Sequence, residues 1–198
     1  MPVSTVRADD SGFRNWVTLR DAGVVRQARD FSCGIAALAT YLTYYLRHPV
    51  TEQDLLDLLD QRGDDWDLPA DWREQGVSYA VLLQLAQHYG LQGAGMAVTP
   101  ELLASLTVPA IVRLEVHGVA HFSVLRGIGD KGQVQLADPS WGNHRLNREA
   151  FLPLWLDSEL GGESGTLMLF QPLAGSSLQP DAGYFGVDAR QPLVRPPA

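Results

Sequence analysis

An α+β fold, with helices leading and an antiparallel sheet following, is the architecture this chain predicts. Two observations carry the prediction. Apolar residues recur at helical spacing between residues 33 and 89, and from residue 110 the texture changes to short β-rich runs separated by glycine-containing turns. With 198 residues, the chain suits one domain that buries a substantial core without disulfides or a structural metal.

The first helix begins near Cys33, with Ile35, Leu38, Ala39, Leu42 and Leu46 on one face. A second starts at Thr51, where Thr51 and Asp54 give a capping signal before Leu55, Leu56, Leu58 and Leu59. Arg62 to Gln75 holds Gly, Pro, two Trp and many charges, and reads as a surface loop pinned by Trp66 and Trp72. Ser78 caps a helix that Gly90 stops, and Thr99-Pro100 opens a shorter one. Strands are expected at Ala110–Val116, His121–Gly127 and Gln133–Ala137, with Gly127–Gly132 as a hairpin loop. A short helix near Arg148–Leu156 and a strand at Thr166–Phe170 close the domain. The expected division is an irregular lead-in over residues 1–22 with an apolar patch at Phe13–Trp16, a domain over 23–171, and a Pro/Gly-rich extension over 172–198 with little core.

Composition narrows the function classes. The net charge of −8, from 15 Lys+Arg against 23 Asp+Glu, argues against nucleic acid or anionic lipid as the main partner, since both select clustered basic residues. Lys131 is the only lysine, and the apolar run from Ile35 to Leu46 is short of a bilayer span. The single cysteine, Cys33, excludes an internal disulfide and any zinc site built from several thiolates. No cofactor or metal is expected. The start, Met1 to Arg7, lacks a basic-then-apolar leader pattern, so the chain reads either as cytoplasmic or as a mature protein whose leader has been removed.

The chemistry centres on Gln27-Ala-Arg-Asp-Phe-Ser-Cys33-Gly34. Cys33 stands at a predicted helix start, where unpaired N–H groups and the helix dipole favour a thiolate, Ser32 is placed to cap that helix, and Gly34 admits a close backbone. Taken alone, a lone cysteine is more often a small core hydrophobe. Gln27, six residues earlier, places an amide that can donate to a developing oxyanion beside the Cys33 N–H. Asp30 reads as local turn structure. Of the five histidines, His48 and His88 sit at helix ends and read as structural, whereas His121 opens a strand expected to be central. Asp138 ends the following strand. Around a turn centred near Gly129–Asp130, residues 121 and 138 are equidistant, so strand pairing brings a carboxylate beside the imidazole.

Gln27–Cys33–Gly34–Ala36, then Gly118–His121–Phe122–Val124–Leu125, then Asp138-Pro-Ser-Trp-Gly142 together resemble the bacteriocin-processing (double-glycine leader) cysteine peptidase family of the papain-like clan. Gly76-Val-Ser-Tyr, the stretch from Val108 to Leu114, and Phe151 and Trp155 extend the resemblance over about residues 24–170. It implies a papain-like fold with Cys33 as nucleophile, His121 as base, Asp138 as orienting acid and Gln27 as oxyanion donor, acting on a peptide or leader segment of a secreted protein. Many members are parts of peptide exporters and cut after a Gly-Gly pair. This chain departs from them in having no transmembrane or nucleotide-binding part, and in carrying Ser32 where they have Asp. It is more similar to standalone members, including the type associated with secretion of functional amyloid, which implies a periplasmic enzyme.

Three rival readings use the same residues. A peptide-binding module without turnover would keep the cleft and lose the chemistry. Acyl transfer to an acceptor other than water would use the same thiol. A metal-dependent hydrolase would draw on His117, His121, Asp138 or His144, but Gly118 and the β-rich flanks argue against the helix that the His117–His121 spacing would need.

Overall fold

The computed structural model describes residues 16–191; the Phe13–Asn15 part of the expected apolar patch, with the rest of residues 1–15, and the last part of the extension, 192–198, lie outside them. Where an irregular lead-in was expected, Trp16–Asp21 forms a short helix, α1. Next come α2 (Cys33–Thr40), which continues through a π-helical turn over Tyr41–Tyr45, α3 (Glu52–Arg62), α4 (Trp72–Gln75) and α5 (Tyr79–His88). The later half holds β1 (Leu91–Val98), α6 (Pro100–Ala104), β2 (Ala110–Val116), β3 (Val119–Ile128), β4 (Val134–Asp138), β5 (Gly142–Leu146), α7 (Arg148–Trp155) and β6 (Gly165–Pro172).

The strands form one sheet in the order β1-β6-β2-β3-β4-β5, with every pair antiparallel. This is the α+β arrangement the pattern predicts. The helices cover both faces. Ile35, Leu38 and Leu42 join Leu55, Leu59, Leu82, Leu85 and Val124 in one core, while Phe151 and Trp155 join Leu114, Leu125, Leu136 and Leu167 in another. Among the described residues, no helix is long and apolar enough to cross a membrane.

The caps behave as their residue types require. The Thr51 side chain accepts from the Asp54 N–H, and Asp54 Oδ2 accepts from the Thr51 N–H at 2.8 Å. Ser78 and Thr99 each accept from the third residue onward. Ser32 differs from expectation: its backbone (φ −98°, ψ 13°) is not extended and its hydroxyl makes no cap to α2, because Glu52 captures it.

Other expectations are corrected. The Arg62–Gln75 segment is not a plain loop: it contains a 3₁₀ turn at Asp64–Trp66 and α4, and Trp72 is buried against Phe31, ring centroids 5.5 Å apart. The extension contributes to the core, with Leu178 and Tyr184 buried. Its chain runs back over the body, where the Gly186 N–H donates to Arg126 O and Arg145 Nε donates to Gln191 O.

Candidate active site

Cys33 is the first residue of α2, half-buried, and α2 lies against β3 and β4. Gly34 permits that approach, since a Cβ there would stand 3.0 Å from the Phe122 ring and 3.1 Å from Val77. The adjacent β3 residue is His121, so the helix start and the strand bring thiol and imidazole into a side-chain hydrogen bond. His121 Nε2 donates to Asp138 Oδ2 at 2.8 Å, which leaves Nδ1 as the ring nitrogen facing Cys33. Asp138 is fully buried, and its other oxygen accepts from the Ser140 N–H at 2.8 Å and the Trp141 N–H at 2.9 Å.

The pairing behind this contact is not quite the expected one. In β3 and β4, Val124 faces Ala137 and Leu125 faces Leu136, and the register shifts between Leu125 and Gly127. Continuing the Val124–Ala137 register places Asp138 opposite Ser123, so Asp138 meets His121 diagonally. The pair Ile128–Val134 centres the turn near residue 131, later than equal counting assumes, and the bulge between Leu125 and Gly127 brings Asp138 one residue back toward His121.

Charge separation is favoured within this chain of groups. Burial pushes the Cys33 thiol up, yet the hydrogen bond and charge of His121, with backbone hydrogen bonds at Phe122 and Gly34, outweigh it and hold the thiol below its ordinary range. Burial likewise pushes His121 down, while the hydrogen bonds to Asp138 and Cys33 outweigh it and raise the imidazole to about 10. For Asp138, burial works upward, and the His121 hydrogen bond and charge, followed by His144, hold the carboxyl below its usual range. The arrangement is that of a thiolate–imidazolium pair oriented by a carboxylate.

Gln27 joins the group through the loop after β4. Its backbone N–H donates to Pro139 O at 3.1 Å, its Oε1 accepts from Ser140 Oγ at 2.7 Å, and its Nε2 donates to Arg29 O at 2.9 Å. Arg26 reinforces the seam, donating to the carbonyls of Pro139 and Ser140. Cys33 opens on a cleft of about 490 Å³, floored by Phe122, Val77 and Trp72 and bordered by Leu68, Asp71, Tyr79 and Arg113. The Arg62–Gln75 segment therefore borders the cleft as well as pinning itself through Trp72. Trp141, 43% exposed, stands 5.5 Å from the His121 ring.

The remaining histidines are placed elsewhere. His48 and His88 pack on Tyr89, His117 forms the β2–β3 turn with φ 53°, and buried His144 bonds Gly142 O through Nδ1 at 2.9 Å. The His117-to-His121 stretch is thus turn and strand, not helix. Among the described residues, no three His, Cys, Asp or Glu side chains are grouped to hold a metal ion. Residue reasoning passed over Glu52, Ser140 and Trp141. Ser140 and Trp141 stood inside the Asp138-Pro-Ser-Trp run, which was a usable signal; Glu52 gave none, because its partners lie on another element.

The fold is shared with the peptidase domain of Streptococcus ComA, a bi-functional ABC transporter involved in a quorum sensing pathway. That likeness has a TM-score of 0.59 at 20% identity and covers 75% of this chain and 97% of that one. On that fold the structure joins a cysteine, a histidine and an aspartate, with the thiol opening on a cleft. The chain belongs to the Peptidase C39 family, whose model matches residues 21–160. It is 35% identical over 136 residues to the probable functional amyloid protease FapD of Pseudomonas fluorescens, a match covering 69% of this chain and 58% of that protein. The chain therefore spans somewhat over half the length of the FapD proteins it matches. It is also similar to a double glycine motif protease from an AMS/PCAT transporter, solved in complex with the leader peptide, with a TM-score of 0.50 at 25% identity over 75% of this chain and 90% of that one.

Proposed function

We propose that this chain hydrolyses a peptide bond in a leader or other segment of a secreted protein, with a functional-amyloid precursor as the first substrate to test. The observation that carries the reading is the hydrogen-bonded sequence Cys33–His121–Asp138, whose thiol opens on a cleft lined by Phe31, Val77 and Phe122. The similarity to FapD and to a double glycine motif protease bound to a leader peptide supports the substrate class.

In this reaction the Cys33 thiolate attacks the scissile carbonyl carbon, and the carbonyl π electrons move to oxygen. The Cys33 backbone N–H and the Gln27 amide stabilise that oxyanion. As it collapses, the His121 imidazolium gives its proton to the departing amine and leaves a thioester. Water, deprotonated by His121, then attacks the thioester and releases the acid and the thiol, while Asp138 holds the imidazole in place throughout.

Incubation of the purified chain with precursor peptides, followed by mass spectrometry, tests this reading. Cleavage should vanish in Cys33→Ala and fall roughly 10²–10³-fold in Gln27→Ala. Equal cleavage by Cys33→Ala would overturn it. Tight peptide binding with no turnover by the unaltered chain would replace it with the binding-module reading.

A further inference from the structure

We propose that Ser140 is the positioning residue for the oxyanion glutamine, a role that rests on the assignment of Gln27 above. All three polar groups of Ser140 are engaged at the site. Its N–H holds Asp138 Oδ1 at 2.8 Å, its carbonyl accepts from Arg26, and its hydroxyl donates to Gln27 Oε1 at 2.7 Å. One residue thereby couples the orienting carboxylate to the glutamine, although the two stand far apart in the chain.

The hydroxyl decides which way the amide faces. A carboxamide is nearly symmetric in shape but opposite in polarity at its two ends, so its orientation follows from its neighbours. At one end, Arg29 O can accept only from nitrogen, and it lies 2.9 Å from Nε2. At the other, the Ser140 hydroxyl supplies the hydrogen that Oε1 needs. Both contacts demand the same orientation; Nε2 also stands 3.5 Å from the Asp30 carbonyl, and in this role the N–H not held by Arg29 leaves that long contact to serve the oxyanion. Without the hydroxyl, Oε1 loses its anchor, the terminal torsion is released, and the donor is aimed only part of the time.

This role separates two reactions of the same thiol. Acylation by p-nitrophenyl acetate forms a tetrahedral oxyanion, whereas alkylation by iodoacetamide displaces iodide and forms none. Ser140→Ala should slow acylation about 10-fold, the worth of one hydrogen bond used for orientation, with the alkylation rate and its pH profile unchanged. Ser140→Thr, which keeps a hydroxyl, should recover most of the loss. Gln27→Ala/Ser140→Ala should acylate no more slowly than Gln27→Ala, because Ser140 acts through Gln27. Wild-type acylation by Ser140→Ala beside slow Gln27→Ala would overturn the proposal, as would a parallel fall in alkylation with a shifted pH profile, which would place the effect on Asp138. Wild-type acylation by Gln27→Ala would instead remove the oxyanion role of Gln27 and this inference with it.

Discussion

The Glu52 carboxylate, at the first turn of α3, accepts the hydroxyl of Ser32, the residue immediately before Cys33. The same carboxylate accepts the Ala28 N–H, with its two oxygens 2.9 and 3.1 Å from that nitrogen. Glu52 is buried, as is Ser32, so these contacts clamp the turn between Gln27 and Cys33 from beneath. The opposite flank of that turn is held by Pro139 and Ser140. Cys33 and Gln27, the proposed nucleophile and oxyanion donor, therefore ride on one short segment fixed at both ends.

Removing that clamp should cost both stability and reactivity. Glu52→Ala leaves the Ala28 N–H without its acceptor, a loss of about 1–3 kcal/mol, while the Ser32 hydroxyl keeps only the Arg29 carbonyl at 2.7 Å. Thermal unfolding should show a lower midpoint, and alkylation of Cys33 should slow as its thiol leaves the reach of His121. Glu52→Gln keeps an acceptor oxygen and should fall between the two. An unchanged midpoint and alkylation rate in Glu52→Ala would show that the clamp is dispensable.

The pH behaviour follows from the two shifts at the cysteine–histidine pair. Cys33 lies below its ordinary range, so the thiolate fraction rises with pH before that of a free thiol near about 8.5. Alkylation by iodoacetamide should show this single acid limb and reach its plateau early. Hydrolysis also needs the imidazolium as proton donor, so it should show a second limb, falling as pH climbs through about 10, where His121 gives up its proton. A rate–pH curve for His121→Ala should lose the early rise and follow an ordinary thiol titration.

Asp138→Asn isolates the carboxylate. Its hydrogen bond is among the interactions that raise His121, so its loss lowers the imidazole pKa and moves the upper limb of the hydrolysis curve toward neutrality. The amide also leaves tautomer selection to chance, and the rate at neutral pH should drop by about 10²-fold or more. The effect should remain smaller than that of Cys33→Ala. An upper limb at the wild-type position in Asp138→Asn would show that the carboxylate does not set the imidazole's titration.

What the residues disclosed, and what they concealed, divides along physical lines. Cys33 and Gly34 were legible because a helix start is a local pattern, and His121 because it lies in a β-rich run, although β3 begins two residues earlier, at Val119. β1 was not, since Leu91-Gln-Gly-Ala-Gly-Met-Ala-Val offers two glycines and little β-branching, and its strand form comes from pairing with β6 along its whole length. β5 was hidden for a different reason. Gly-Asn-His-Arg-Leu looks like loop, yet Asn143 is buried because its amide donates to the Arg20 carbonyl at 3.0 Å and to that of Ala22. The Asp138–His121 contact was anticipated from strand pairing, but the turn is centred near residue 131, so the contact is diagonal. Glu52 acts across 20 positions of sequence through tertiary packing, which no local pattern encodes.

Tyr184 makes the closing segment a structural strap, and its contacts set the last prediction. The ring is buried, the Arg126 guanidinium lies 4.2 Å from its centroid, and its hydroxyl donates to Gly23 O at 2.9 Å. Gln191 Nε2 adds a bond to Leu19 O at 2.8 Å, so the strap holds the stretch that leads into Arg26 and Gln27. Tyr184→Phe removes only the hydroxyl bond and should lower stability by about 1 kcal/mol. Tyr184→Ala removes the ring and should cost about 3–5 kcal/mol. Gly127→Ala attacks the same strap from beneath, since its Cβ would stand 2.2 Å from Gly186 O and backbone must move to admit it. In both Tyr184→Ala and Gly127→Ala, amide exchange should quicken at residues 19–26 before the central strands, and alkylation of Cys33 should change less than hydrolysis, because the held stretch runs directly into Gln27, whereas the thiol starts α2. Exchange that quickens uniformly across the sheet would mean that the strap supports the whole domain instead of this stretch.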